Sequence, residues 1–219
     1  MRVALLLITT VCAALANDAS ERANSAAAVL HEIMGTKDRA IPQDLLDKAH
    51  CAIVIPGMKK AAFVVGAKYG RGFMSCRKGN AGWSAPAGVR MEGGSVGFQI
   101  GGSETDVVML VLNQRGADKL LSSKFTLGGD ASVAAGPVGR TSSAETDALM
   151  RAEILSWSRS RGVFAGISLK GSTLRPDEEA NQELYGKAIT NRELVQGSVA
   201  APESAAGLVS ALNKYSARK

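Results

Sequence analysis

The spacing of apolar positions changes twice along this chain. From Ser20 to Met34 it is helical: Ala26, Val29, Leu30, Ile33 and Met34 fall on one face, with Glu21, Arg22 and Glu32 elsewhere. Gly35 suits the stop, and Ile41-Pro42 opens a second short helix to about His50. From Cys51 the period shortens to that of strands, at about 51–55, 61–68, 71–77, 82–91, 95–101 and 105–112. Arg77–Gly82 and Glu92-Gly93-Gly94 are turn chemistry, which predicts antiparallel hairpins. Gln114–Ser122 has a helix pattern, and Phe125–Gly139, Glu153–Ser160 and Val163–Leu169 return to strand. Helical spacing closes the chain at Pro176–Tyr185 and Pro202–Tyr215, with a capping box at Thr190-Asn191-Arg192-Glu193 between them.

The two N-terminal helices are expected to cover a sheet face rather than lie on a membrane. The first has few basic residues and no aromatic anchor. Seventeen of the 24 glycines fall between Gly57 and Gly139, and they permit curvature and close backbone approach. The fold expected is therefore α+β: a strongly bent antiparallel β-sheet, barrel- or sandwich-like, flanked by N- and C-terminal helices.

The 219 residues divide into a targeting segment, 1–16, and one domain, 17–219. Arg2, the apolar run Val3–Ala14 and the small-x-small pattern Ala14-Leu15-Ala16 predict an export signal, cut before Asn17. The apolar run is too short to span a bilayer. Cys12 raises a lipoprotein reading, but Thr9-Thr10-Val11 lacks the small residue wanted before that cysteine. The expected location is the periplasm or the periphery of an envelope membrane. Export leaves Cys51 and Cys76, for which an oxidising compartment permits a disulfide. Two small buried hydrophobes on different strands are an equal reading.

Charge supplies the candidate site. Net charge is +6, and between Lys48 and Met91 there is no Asp or Glu. Lys59, Lys60, Lys68, Arg71, Arg77, Lys78 and Arg90 all fall inside that stretch. If these side chains share a face, they attract anionic headgroups at about 1 kcal/mol per residue; the alternative is that they spread around a solvated surface. Trp83, in Trp83-Ser84-Ala85-Pro86, either packs in the core or anchors at a headgroup boundary. Aromatic residues are only 5% of the chain, which counts against a base-stacking nucleic-acid binder.

Enzyme motifs fail on inspection. Gly93-Gly94-Ser95-Val96-Gly97 matches the form of a nucleophile elbow, but a strand rather than a helix is predicted after Ser95. His31 and His50 both lie upstream, against the order of that triad. There is no phosphate loop, no dinucleotide fingerprint and no zinc-type Cys/His spacing. No catalytic activity, cofactor or metal is expected.

Several stretches in this order resemble one family. They are Cys51–Pro56 (CAIVIP), Gly66–Gly72 (GAKYGRG), Trp83–Pro86 (WSAP), Gly97–Gly101 (GFQIG), Lys124–Arg140 (KFTLGGDASVAAGPVGR), Ile154–Gly171 and Asn181–Tyr185. Together they resemble the SYLF domain, also called the Ysc84 or actin-binding domain, over about residues 25–215. The resemblance implies a lipid-binding module rather than an enzyme. Fungal members also bind actin and usually carry an SH3 domain. With an export signal and no SH3 domain, this chain resembles the stand-alone bacterial type, for which actin is an unlikely partner. The function expected is binding of anionic phospholipid at an envelope membrane; the alternative is an envelope protein-interaction or scaffold module.

Overall fold

The computed structural model describes residues 3–36, 41–62, 65–79, 82–96, 101–138, 152–160 and 163–216. Helix α1 (Val3–Gly35) and the short α2 (Gln43–Lys48) lead into four long strands: β1 (Cys51–Ala62), β2 (Val65–Cys76), β3 (Ala87–Val96) and β4 (Gly101–Val111). After α3 (Gln114–Leu120) come β5 (Phe125–Thr126), β6 (Val133–Ala135), β7 (Ile154–Ser160), β8 (Val163–Gly166) and β9 (Thr173–Pro176). Three helices finish the described chain: α4 (Glu178–Tyr185), α5 (Asn191–Gln196) and α6 (Glu203–Tyr215).

The strands form one strongly curled, half-barrel sheet in the order β5-β9-β3-β2-β1-β4-β7-β6, with β8 also on β7. Its pairs are antiparallel except β6 with β7. Helices from both ends of the chain flank it, so the α+β class expected from the sequence is the class observed.

Both faces of the sheet are buried, which explains why the central strands read as continuous apolar runs. On one face, Ala52, Val54, Phe73, Val108, Leu110, Leu155 and Trp157 pack under Val29, Leu30 and Ile33 of α1 and Leu208 and Leu212 of α6. On the other, Ile53, Ile55, Met58, Met74, Met91, Val107 and Met109 pack under Leu120, Phe125, Leu127, Leu194 and Val195. Cys51 and Cys76, opposite each other at one end of β1 and β2, belong to this second face and carry a disulfide.

Local signals held where they are satisfied locally. Asn113 caps α3 through Gly116 N–H, Asp177 caps α4 through Ala180 N–H, and Thr190 and Glu193 form the predicted capping box.

Strand boundaries differ more. Pro56-Gly57 does not end β1 but makes a bulge inside it, with Gly57 in the left-handed region at φ 57°. Glu92-Gly93-Gly94 is not a turn; it lies within β3, where the side-chain space over Gly93 is filled by Ser172. Phe125–Gly139 holds two short strands around a turn, and β9 had no sequence counterpart because Thr173–Pro176 is too short to show a period. The first helix is longer than its amphipathic pattern and starts at Val3.

Candidate functional site

The bulge in β1 decides where the basic residues point. Side chains alternate along a strand, and one extra residue reverses the parity. Before the bulge, odd-numbered Cys51, Ile53 and Ile55 lie on the α5-covered face; after it, odd-numbered Lys59 lies on the α1-covered face, opposite Tyr69 and Glu104. Lys60 turns to the other face, directly opposite Lys68 of β2.

The seven cations do not form one patch. Arg71 shares the α1-covered face with Lys59, but it is committed. Its Nε donates to Asp177 Oδ2 at 2.5 Å, and its Nη2 donates to Asp177 Oδ1 at 2.9 Å and to Glu179 Oε2 at 3.2 Å. The bond to Asp177 holds the Arg71 guanidinium above its ordinary range. Arg90 stands between Arg71 and Arg175 in the register, with Glu92 3.4 Å away. Arg77 lies over the Trp83 ring at 4.3 Å and donates to Leu46 O, while Lys78 donates to Gly197 O. Trp83 is 6% exposed and donates from Nε1 to Ser216 Oγ at 2.8 Å, so it sits in the core under α6.

What remains is the far end of the β1–β2 hairpin. Among the described residues no carboxylate lies within ion-pairing distance of Lys59, Lys60 or Lys68. The Lys60–Lys68 pair is a like-charge pair in register, which costs stability unless an anion compensates it. Burial, and then the charge of Lys60, lower the pKa of the Lys68 ammonium below the ordinary lysine value of 10.5. The folded chain therefore sheds this proton earlier than the unfolded chain, and stability rises with pH through that alkaline window. Lys60→Gln is expected to raise stability at neutral pH by about 0.5 kcal/mol and to flatten that rise, read from urea midpoints between neutral and alkaline pH.

On the α1 side, a groove of about 880 Å3 runs between α1 and the bulge, lined by Asp18, Arg22, Lys59, Tyr69, Glu104 and Arg159 among others. Asp106 anchors it, accepting from Gly57 N at 2.9 Å and from Arg159 at 2.6 and 2.8 Å. Burial pushes the Asp106 carboxyl up, the Gly57 N–H bond opposes this, and nearby Glu104 pushes it further. Charges of both signs line the groove, so it does not select an anion.

Ser95 lies within β3 opposite Gly66, not at a strand-to-helix turn, so the elbow geometry is absent. Gly97 of that motif lies outside the described residues. Sequence reasoning missed the partners of Arg71. The signal was available: an acid-free basic stretch must find its carboxylates elsewhere, and Asp177-Glu178-Glu179 is the densest acidic run in the chain.

The described residues form a curled sheet buried on both faces, with a basic hairpin end that no described carboxylate pairs. The chain belongs to the Ysc84 family, described as Las17-binding protein actin regulator, whose model matches residues 92–215. It is 39% identical over 177 residues to the SH3 domain-containing protein PJ696.02 of Schizosaccharomyces pombe, covering 79% of this chain and 41% of that protein. It is 36% identical over 169 residues to LAS seventeen-binding protein 3 of Saccharomyces cerevisiae, covering 75% and 36%. It is 33% identical over 179 residues to SH3 domain-containing YSC84-like protein 1 of Mus musculus, covering 81% and 52%. The chain thus spans about half or less of the length of these relatives.

These comparisons correct one expectation. The export signal and the lack of an SH3 domain make actin an unlikely partner on the sequence reading. The family is described as an actin regulator, and relatives are named for binding LAS seventeen, so that exclusion does not stand.

Proposed function

We propose that this chain is a non-catalytic binding domain that docks on anionic phospholipid through the Lys60–Lys68 end of the β1–β2 hairpin. One observation carries the reading: two ammonium groups directly opposite each other, with no carboxylate beside them among the described residues. The register adds to it. Ala62 pairs with both Gly66 and Gly101, and Val65 with Val96, so the described ends of β1 to β4 meet beside the Lys60–Lys68 pair. Lys59 and half-exposed Tyr69 flank the end on the other face.

The test is co-sedimentation with phosphatidylcholine vesicles, with and without phosphatidylserine, at low and high salt. Binding is expected only with the anionic lipid and is expected to weaken with salt. Reversing both charges, Lys60→Glu with Lys68→Glu, removes about 4 kcal/mol, on the order of a thousandfold in affinity. Undiminished binding by a folded double variant would move the site away from the hairpin.

The family description favours a second reading, in which the anionic partner belongs to the actin machinery. Actin filaments replace vesicles in the same assay. Pelleting with filaments but not with anionic vesicles would select that reading.

A further inference from the structure

Four strands meet in one row at the far end of the β1–β2 hairpin. Across β4, β1, β2 and β3 the register sets Ser103, Lys60, Lys68 and Gly93 side by side on one face. Lys60 and Lys68 are the one pair of lysines directly opposed in the described ladders, and their side chains leave the sheet about 5 Å apart. Their neighbours in the row are small: Ser103 is exposed and Gly93 has no side chain. Both lysines are half-buried, but their ammonium groups are reachable. Neither is hydrogen-bonded among the described residues, and neither belongs to the buried side-chain nitrogens left without a partner, so both meet solvent.

We propose that Lys68 is an acylation site, whose amine takes the acyl group of an acyl phosphate held by the Lys60 ammonium. The Lys68 nitrogen attacks the acyl carbon, the N–C bond forms, and the C–O bond to the phosphate breaks. Phosphate leaves with the electron pair and takes the proton of the amine, so the products are an amide and hydrogen phosphate. No other reactant is needed. The two lysines divide the task. The donor needs a cation for its phosphoryl oxygens and, within reach of that cation, a lysine nitrogen that is free to attack. Burial first, and the charge of Lys60 second, lower the Lys68 pKa and so raise its share of free amine at neutral pH.

Acylation also removes the repulsion that the register imposes, because an amide opposite Lys60 carries no charge. Other lysines lack one half of the arrangement. Lys48 faces Asp44, Lys78 donates to Gly197 O and Lys119 to Asp130 O. Lys59 stands between Tyr69 and Glu104, with no cation across from it. As a modification site Lys68 is independent of the lipid-docking reading. As a switch it rests on that reading, because the amide removes one of the two charges that meet the membrane.

The experiment treats the full chain with acetyl phosphate at neutral pH, to low conversion, and maps the modified lysines by peptide mass. Acetic anhydride, which carries no charge, is the second donor. Lys68 is expected to react about tenfold faster than Lys48, whose side chain is 71% exposed, and its lead should be larger with acetyl phosphate than with the anhydride. Lys60→Met should shrink that lead and make it equal for the two donors. The Lys68 rate should also level off at a lower pH than the Lys48 rate. Equal rates at Lys68 and Lys48, a lead that persists in urea, or a lead that Lys60→Met leaves unchanged would overturn the proposal. Vesicle binding is read separately, on the chain acetylated at Lys68, and is expected to weaken about fivefold. Selective acetylation with unweakened vesicle binding would keep the modification site and overturn the docking reading.

Discussion

Replacing Arg71 by alanine is expected to lower the stability of this protein by about 3 kcal/mol. The guanidinium bridges β2 and the start of α4, with two bonds to Asp177 and one to Glu179. Asp177 is 2% exposed in its side chain and Arg71 is 19% exposed, so the alanine variant leaves a carboxylate almost out of water with its main partner gone. The lower end of the range for broken buried pairs applies because Arg71 keeps some solvent contact. The double variant Arg71→Ala, Asp177→Asn is expected to recover about half of the loss. Asparagine keeps the cap on Ala180 N–H but carries no charge. Urea unfolding of the two variants checks this. A loss under 1 kcal/mol for Arg71→Ala would show that the pair is solvated in solution. The prediction also separates two roles that a basic residue can have: Arg71 is one of the seven cations of the acid-free stretch, yet its charge is spent inside the fold.

Gly72→Ala is expected to cost at least about 3 kcal/mol and to lower soluble yield. A Cβ at this position would lie 2.1 Å from Val54 O and 2.7 Å from Ile55 Cα. Both are backbone atoms of β1 next to the bulge, and β1 is held between two ladders, so nothing nearby can swing aside. Gly94→Ala is the control. Nothing lies within 4 Å of its added Cβ, and its backbone is not left-handed. It should be neutral or stabilise by up to about 1 kcal/mol, through the unfolded chain. Equal effects at the two positions would mean that β1 does not press on β2 as described.

Gly72 and Lys60 together show how much of the candidate site was legible. The sequence marked the glycine-rich, acid-free stretch as the place to look, and the hairpin end falls inside it. It did not show which cations stay uncompensated. Arg71, Arg77, Lys78 and Arg90 are taken up by Asp177, Trp83, Gly197 and Glu92, and every one of those partners lies outside the acid-free stretch or is not an acid. From sequence Trp83 fits core or anchor alike; Ser216, 133 residues away, accepts its N–H and fixes it in the core.

By itself the sequence determined what acts over a turn or two of chain. The amphipathic face of α1, the Thr190–Glu193 capping box, the positions of the helices α3 to α6 and the strand-forming character of β1 to β4, β7 and β8 were all written in local periodicity and capping chemistry. The α+β class and the family followed from the order of those elements and motifs. Tertiary structure decided what depends on parity and register. The extra residue at Pro56-Gly57 swaps the faces of Lys59 and Lys60, and the β1–β2 register then sets Lys60 against Lys68. A bulge shows no period of its own, and the cost of a like-charge pair exists only once two strands are aligned.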